Sequence, residues 1–580
     1  MKRYISIALV PLMIVFTLTV SLFTLMVSGN DNASAYFAEE YATVKVGLYY
    51  GNSGLAYANL QNEVGSGYEF GYFNEYRTFV PLGYTDLQKI TMLKDWNLYI
   101  TSDSNNKYVD ENPGSAKSIG VVGCFHVRLG GYATFDEAKA ESNRHNGGFP
   151  SYVNGTFYAN FGNYTTRSDA ESAMINSGLN GEVFTGSDKC VTVVESGTAN
   201  ILFEFDVSGT GLGVMPRGYF GEKALTWFKG YKYFGGFEYL RNSGSNMTVI
   251  NYVNMEDYVA GVLPFEMSPS WPLEALKAQA VCARTYAASN RGKHSAYAFD
   301  VCNTSDCQVY QGQNNSAASI DQAVLETAGE YVTYQGELTT TFYHSSNGGA
   351  TEDCENVFHE AIPYLRGVID PYEQYVNTGR DSWTVEYTAA QITTVLQSKG
   401  YSIADVVSVT PTYTELGNMF PLKFTDSRGK SFTFEREAAR TILNSSAIGK
   451  TVYSLRYSIT GSGTAQSADA PAEPAYITGQ SAPLESGDYY AIGADGQTVK
   501  IAGSDVTVIT ASGTTQVRIG EQGQKLLSGV TQTGNKYTIR GSGWGHNIGM
   551  SQWGARAMAE QGLTYSDIIH FYYTGVDISR

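Results

Sequence analysis

Apolar residues recur at helical spacing over one stretch of the chain and alternate over several others. After Pro272 the sequence runs Leu-Glu-Ala-Leu-Lys-Ala-Gln-Ala, and Leu273, Leu276, Ala280, Ala283 and Ala287 share one face. A proline followed by good helix formers predicts a helix whose apolar stripe faces the core. Lys277, Arg284 and the Gln279 amide sit among small alanines, which let a polar group or ligand approach closely. The stretch before it, bracketed by Pro264 and Pro272, reads as a loop carrying one carboxylate, Glu266. Val44-Lys-Val-Gly-Leu-Tyr-Tyr alternates as a strand does. Between about 121 and 197, Leu129-Gly-Gly-Tyr-Ala-Thr-Phe-Asp-Glu-Ala138 aligns with Phe161-Gly-Asn-Tyr-Thr-Thr-Arg-Ser-Asp-Ala170. Each copy predicts a strand, a capped turn and an amphipathic helix, and two such halves fit a small ferredoxin-like, split βαβ module. The span Ala199–Tyr258 is rich in short strands and Gly/Asn turns. Thr464–Pro483 is Ala/Ser/Pro/Gly-rich and reads as a linker or exposed loop. Tyr489–Thr538 then alternates again, as in Val506-Thr-Val-Ile-Thr and Thr515-Gln-Val-Arg-Ile, and predicts a small β excursion. The fold class is therefore α+β.

A chain of 580 residues exceeds what one core usually holds, so two or three modules are expected. The net charge of −17 argues against nucleic acid, whose phosphates demand basic patches. The 43 tyrosines suit stacking on sugar rings, although β-rich structure favours Tyr on its own account. Met-Lys-Arg followed by the apolar run Ile5–Val27 and Ala33-Ser34-Ala35 fits a cleaved signal peptide or a retained membrane anchor. Either way, residues beyond about 36 are expected outside the membrane. Six cysteines in this length do not make a disulfide scaffold; Cys124, Cys190, Cys282 and Cys354 are scattered, while Cys302 and Cys307 lie close together.

The chemistry-bearing runs follow in order. Gln308-Val-Tyr310-x-Gly312 follows the cysteine pair, and then comes Phe342-Tyr-His-Ser-Ser-Asn-Gly-Gly-Ala-Thr-Glu352. Next are Pro363-Tyr-Leu-Arg-Gly-Val-Ile-Asp-Pro371 and Gly541-Ser-Gly-Trp-Gly-His546-Asn-Ile-Gly-Met-Ser-Gln552. His344, Ser345 and Ser346 precede Gly348-Gly349 on a flexible turn where backbone amides could meet a sugar or acetamido group. A Ser/His nucleophile there is disfavoured, because adjacent residues of a strand point to opposite faces. The Gly541–Gly549 run lacks the GxxxxGK[ST] arrangement of a phosphate loop and contains Trp544. Its glycines instead let His546 and Gln552 approach a buried cleft.

Taken together, these runs resemble the stage II sporulation protein D (SpoIID, or amidase-enhancer) family, over about 200–460 and 539–580. The resemblance implies that Glu266, in Leu-Pro-Phe-Glu-Met, is the catalytic acid of a peptidoglycan lytic transglycosylase. It implies a SpoIID-type mixed α/β core that opens on the Val44 strand. Lys277, Arg284, Tyr310, Tyr343, His344, Ser345, Ser346, His546 and Gln552 become candidates for holding substrate. The 121–197 repeat resembles the SPOR family, whose members bind septal glycan strands lacking stem peptides. His294, Cys302 and Cys307 have ligand types suited to zinc. The family resemblance implies a structural zinc on two Cys and two His, with Asp306 standing here where the second His belongs, so that Asp306 or water would be the fourth ligand; a Cys302–Cys307 disulfide and unbonded thiols are the other readings. No organic cofactor is expected.

The expected organisation is a signal or anchor (1–35), a strand-rich part (36–120), the SPOR-like module (121–197), the catalytic core (198–465), a linker and β-rich insertion (466–538) and the end of the core (539–580). The expected reaction cleaves the β-1,4 bond between N-acetylmuramic acid and N-acetylglucosamine in peptide-stripped glycan, in sporulation engulfment or wall remodelling, outside the cytoplasm. Asp257 or Asp370 as a second carboxylate would restore ordinary hydrolysis. The alternative is a non-catalytic enhancer that binds wall glycan and activates a separate amidase. Expected partners are glycan strands and a peptidoglycan amidase, with membrane contact only through the N-terminal segment and no nucleic acid.

Overall fold

The computed structural model describes residues 40–580, apart from 102–106, 115–116, 220, 243, 380, 464–488, 493–497, 502–504, 511–512 and 519–526. The apolar run and Ala33-Ser34-Ala35 lie outside the described residues, as does the Thr464–Pro483 stretch. Among the described residues, no helix is long and apolar enough to cross a membrane. The chain is a strand-rich mixed α/β protein with several sheets. It divides into two compact units: 40–269 with 283–331 and 579–580, and 270–282 with 332–578.

In the first unit, β1 (Thr43–Tyr49) buries Val44, Val46 and Leu48, as the alternation predicts. The βα repeat follows as β2 (Phe125–Tyr132), α1 (Phe135–Ser142), β3 (Gly148–Val153), β4 (Thr156–Tyr164), α2 (Arg167–Ser177) and β5 (Glu182–Phe184). These strands lie in the order β5-β2-β4-β3, antiparallel throughout. Both repeat halves start their helices in the same way. Thr134 and Thr166 accept from the backbone N–H of Glu137 and Asp169, and Glu137 returns a bond to the Thr134 N–H. The apolar face of this sheet, Val127, Leu129, Ala159 and Phe161, packs against Ala173 and Met174 of α2. The sheet does not stop at the repeat. β3 pairs in parallel with β6 (Ile201–Asp206), and the order continues through Val191–Glu195, Lys89–Lys94, Tyr57–Val64, Leu225–Phe228 and Tyr231–Tyr233. Strands from before and after the repeat thus complete one ten-stranded sheet. A separate seven-stranded sheet sets β1 between Val301–Cys302 and β7 (Thr248–Asn254).

From β7 the chain enters α3 (Met255–Glu266), then α4 (Leu273–Ser289), and the boundary between the units falls within α4. Instead of the single core stripe that the pattern predicts, α4 is buried almost all round: Ala275, Leu276 and every residue from Ala278 to Ala288 are inside. A helix this rich in alanine can be enclosed on every side because its backbone already satisfies its own hydrogen bonds.

In the second unit, Lys536–Gly541 pairs with both Trp383–Thr388 and Tyr457–Gly461, so the chain beyond 536 completes a sheet begun before 465. The expected β excursion contains two hairpins, Tyr489–Ile492 with Thr498–Ile501 and Asp505–Thr510 with Gly513–Arg518. The chain ends with α5 (Gln552–Glu560), α6 (Tyr565–Tyr572) and the short strand Asp577–Ser579.

Candidate functional site

Asn254 caps α3 by accepting from the Glu256 N–H at 2.9 Å, and Tyr258, Val259, Val262 and Leu263 bury its inner face. The helix runs through Pro264, which corrects the loop expected there. Glu266 is its last residue and is half-buried. Proline removes only one bond in this final turn, and the Met267 N–H still closes onto the Leu263 carbonyl at 2.9 Å.

Two of the expected substrate contacts turn out to be braces for this helix. Tyr310 is fully buried; its hydroxyl donates to Asn251 Oδ1 at 2.9 Å, and its ring lies where a side chain on Gly261 of α3 would stand. Arg284 is also fully buried. Its Nε donates to Glu256 Oε1 at 2.9 Å, its Nη2 to Glu256 Oε2 at 2.5 Å and its Nη1 to the Glu330 carbonyl at 3.2 Å. Glu256 opens α3, so this pair ties the start of α3 to α4. Neither side chain is exposed to a ligand. Asp257, weighed as a second carboxylate, is bound by Lys223 at 2.7 Å. It precedes Glu266 by nine residues on one helix, roughly 13 Å of rise, against ~5–9.5 Å for paired glycosidase carboxylates.

In the second unit, Tyr343–His344 pairs in parallel with Met550–Ser551, which brings His344 within 5.5 Å of His546, ring to ring. Gly543 and Gly545 make this approach possible. Both have positive φ, and a Cβ on Gly545 would stand 2.7 Å from that of His344. His344 Nδ1 donates to the Ile548 carbonyl at 3.1 Å, and His546 Nδ1 accepts from the Ile548 N–H at 3.1 Å. Burial pushes His344 well below the usual imidazole range; burial and the Arg440 charge take His546 down to about 4. Both rings are therefore neutral at neutral pH. Ser345 gives its carbonyl to the Trp553 N–H, and Ser346 exchanges backbone bonds with Trp544. Gln552, the first residue of α5, donates to the fully buried Gln279 at 3.5 Å. Lys277 is paired with Glu274 at 2.8 Å, and Glu274 also accepts from the Tyr565 N–H.

The sequence reading missed Glu373. It is 4% exposed and accepts from the N–H groups of Asn347 and Gly348 at 3.0 and 3.1 Å. Burial and the neighbouring Asp370 push its carboxyl up to about 7. No local signal in the sequence marks it. Asp370 itself, the other second-carboxylate candidate, accepts from Tyr572, Asn347 and two backbone N–H groups. Aromatic faces were also missed: Trp544 is 39% exposed and stacked on Tyr453 at 4.3 Å, and Trp271 packs against Trp553 at 4.8 Å with the Arg556 guanidinium over both rings.

The structure brings His294, Cys302, Asp306 and Cys307 together, with one donor atom from each within 4.8 Å of the others. His294 Nε2 is 3.3 Å from both Cys307 Sγ and Asp306 Oδ2, and each sulfur is 3.9 Å from Asp306 Oδ2. The two thiols are free rather than bridged. Their pairing pulls the Cys302 thiol down to about 4 and pushes the Cys307 thiol up. Lys293 donates to Cys307 Sγ at 3.3 Å.

Residues 243–334 match the SpoIID family, described as stage II sporulation protein. An uncharacterised protein of Brachyspira hyodysenteriae (strain ATCC 49526 / WA1) is 32% identical over 350 residues, which cover 60% of this chain and 73% of that protein. The amidase enhancer of Bacillus subtilis (strain 168) is 30% identical over 55% of this chain and 40% of its own length. Stage II sporulation protein D of the same organism is 25% identical over 58% of this chain and 77% of its own. This chain belongs to the SpoIID and amidase-enhancer family.

Proposed function

We propose that this protein remodels peptidoglycan as a lytic transglycosylase, acting outside the cytoplasm on peptide-stripped glycan. The observation that carries the reading is Glu266, a single carboxyl at the C-terminal end of α3 within the matched residues. The negative end of a helix dipole favours the protonated acid, which the first step needs. Glu266 protonates the oxygen between N-acetylmuramic acid and N-acetylglucosamine. As a carboxylate it then accepts the proton of the muramic C6 hydroxyl as that oxygen attacks the anomeric carbon, which leaves a 1,6-anhydro end without water. With Asp257 and Asp370 engaged elsewhere, this one-carboxylate route fits better than two-carboxylate hydrolysis. In the second unit, Trp544 and the Trp271–Trp553 pair offer aromatic faces of the kind that stack on sugars.

The 121–197 segment is the candidate ferredoxin-like, SPOR-type glycan-binding module, and its capped βα halves support that reading. The His294–Cys302–Asp306–Cys307 cluster fits zinc. Tetrahedral ligands at ~2.0–2.3 Å stand roughly 3.3–3.8 Å apart, close to the spacings here, and the donors are soft sulfur, imidazole and carboxylate. Such an ion would act structurally, joining the turn after Cys302 to His294. Two thiolates and a carboxylate would leave one excess negative charge on the site, which Lys293 offsets.

The second reading, a non-catalytic enhancer of a separate amidase, is favoured by the relative named an amidase enhancer. One experiment separates the two. Purified denuded glycan incubated with the protein alone yields 1,6-anhydro-muramic products by mass spectrometry, and Glu266→Gln abolishes them. Reducing-end products would mean hydrolysis; products that appear only when an amidase is added would mean enhancement.

A further inference from the structure

The ten-stranded sheet of the first unit carries a polar cluster that the proposed reaction does not use. His126 lies on β2, Glu204 on β6, and Asp95 just beyond the strand Lys89–Lys94. His126 and Glu204 are fully buried and Asp95 is 8% exposed. In the sheet, β4 and β3 separate β2 from β6, a flat distance of roughly 14 Å at strand spacing. Yet His126 Nε2 stands 2.9 Å from Glu204 Oε1, and one ligand atom from each of the three residues lies within 4.8 Å of the others. The sheet therefore curls sharply around this point.

The hydrogen bonds aim the donors inward. His126 Nδ1 meets the Gly162 carbonyl at 2.8 Å; a carbonyl only accepts, so Nδ1 carries a proton and Nε2 is the nitrogen left to face a ligand. Glu204 Oε2 accepts from Asn160 Nδ2 at 3.0 Å, which fixes the carboxylate. His126 Nε2 and Glu204 Oε1 face each other without the alignment of a hydrogen bond, and neither has another partner. Two cations lie nearby. Arg241 donates to the carbonyls of Cys190, Ser245 and Gly244. Arg128 lies between the rings of Tyr158 and Phe184. A divalent ion would neutralise both carboxylates at once, whereas a protonated His126 neutralises only one.

We infer that Asp95, His126 and Glu204 form a second, buried site for a divalent first-row transition-metal ion, bound through one imidazole nitrogen and two carboxylate oxygens. The ion pins the curl of the sheet by joining β2, β6 and the segment after Lys94. Its donor set contains no sulfur, which separates it from the cysteine cluster. One imidazole with two carboxylates suits zinc, manganese or iron.

The test uses cobalt(II) on the full chain, freed of loose metal by gel filtration. The expected result is one retained equivalent that has visible ligand-field bands but no thiolate-to-cobalt charge-transfer absorption. Any cobalt at the cysteine cluster carries that absorption and is counted separately. His126→Gln or Glu204→Gln should lose the thiolate-free equivalent and lower the melting temperature, while any thiolate band stays unchanged. If neither variant folds, the wild-type count of thiolate-free equivalents decides alone. Cobalt retained only with the thiolate band, no retained cobalt, or a thiolate-free equivalent that survives both substitutions overturns the proposal.

Discussion

Two of the clusters in the first unit carry metal-ligating groups, and they are built in opposite ways. His294, Cys302, Asp306 and Cys307 come from one short turn-rich stretch, so closing the site fixes little chain beyond what the local turns already order. Asp95, His126 and Glu204 come from two distant strands and the bend after a third, and meet only because a sheet curls. The first cluster is legible as a spacing, whereas the second has no sequence signature at all. The same contrast separates Glu266, placed by the end of its own helix, from the His344–His546 pair, placed by two distant segments that pair in parallel. Sites built locally should tolerate changes elsewhere in the fold, and sites built from distant strands should report on the whole sheet.

The largest effect is expected at the local catalytic candidate. Glu266→Gln should cut formation of anhydro products on denuded glycan by about 10²–10⁴-fold with the fold intact, because it removes a proton donor while keeping the size and shape of the side chain. A coupled loss of stability would make Glu266 part of the scaffold and break the comparison. Next comes the local cluster. Cys302→Ser, or a strong chelator, should lower the melting temperature of the wild-type chain by several degrees, with activity lost only in step with folded protein. Bound zinc is checked by elemental analysis, and a 302–307 disulfide in non-reduced peptide maps would be the contrary result.

The distant-segment site makes a pH-dependent prediction. Glu373 is pushed up to about 7, so the folded state holds a proton that the unfolded state has released. Its stabilising contribution is complete below about pH 4.5 and is lost as pH rises through about 7, on the order of 3 kcal/mol in all. His546 runs the other way: it is held neutral down to about 4, so its contribution is complete above pH 6.5 and is lost as pH falls toward 4. The two trends oppose each other, and His344, also held low by burial, adds to the second. Glu373→Gln should therefore make urea stability fall more steeply on acidification between pH 6.5 and 4.5, and His546→Asn should make it fall more steeply on alkalinisation over the same span. Parallel profiles for both variants and wild type would refute the assignment.

Smaller effects test the braces. Arg284→Lys keeps the charge but loses the two-pronged grip on Glu256, and should cost about 2 kcal/mol while the surviving folded protein binds glycan unchanged. Weakened glycan binding at full stability would restore Arg284 as a ligand contact. Thr134→Ala removes one exposed helix cap and should cost about 1 kcal/mol by thermal melting, with no change in activity.

Much of the architecture could be read from local pattern. The β1 alternation, the start of α4 after Pro272 and the two Thr-capped βα halves are set by neighbouring residues, and they form where expected. The misreadings share a cause. Pro264 was taken as a helix breaker, yet in a final turn a proline removes little. Arg284 and Tyr310 were taken as ligand contacts because they are polar and lie within family motifs, while the packing of α3 against them makes them core. Glu373 was passed over because nothing in its own neighbourhood reveals burial beside Asp370.

The sequence by itself determined most of the elements, their caps and the cysteine-rich turn, because each depends on propensities and hydrogen bonds within a few residues. Only the tertiary structure decided that α4 is enclosed on every side, that Arg284 clamps Glu256 and that His126 meets Glu204. Those outcomes depend on sheet register and curvature, and a contact between distant strands is fixed by the sum of all the pairings between them, not by any pattern near either residue.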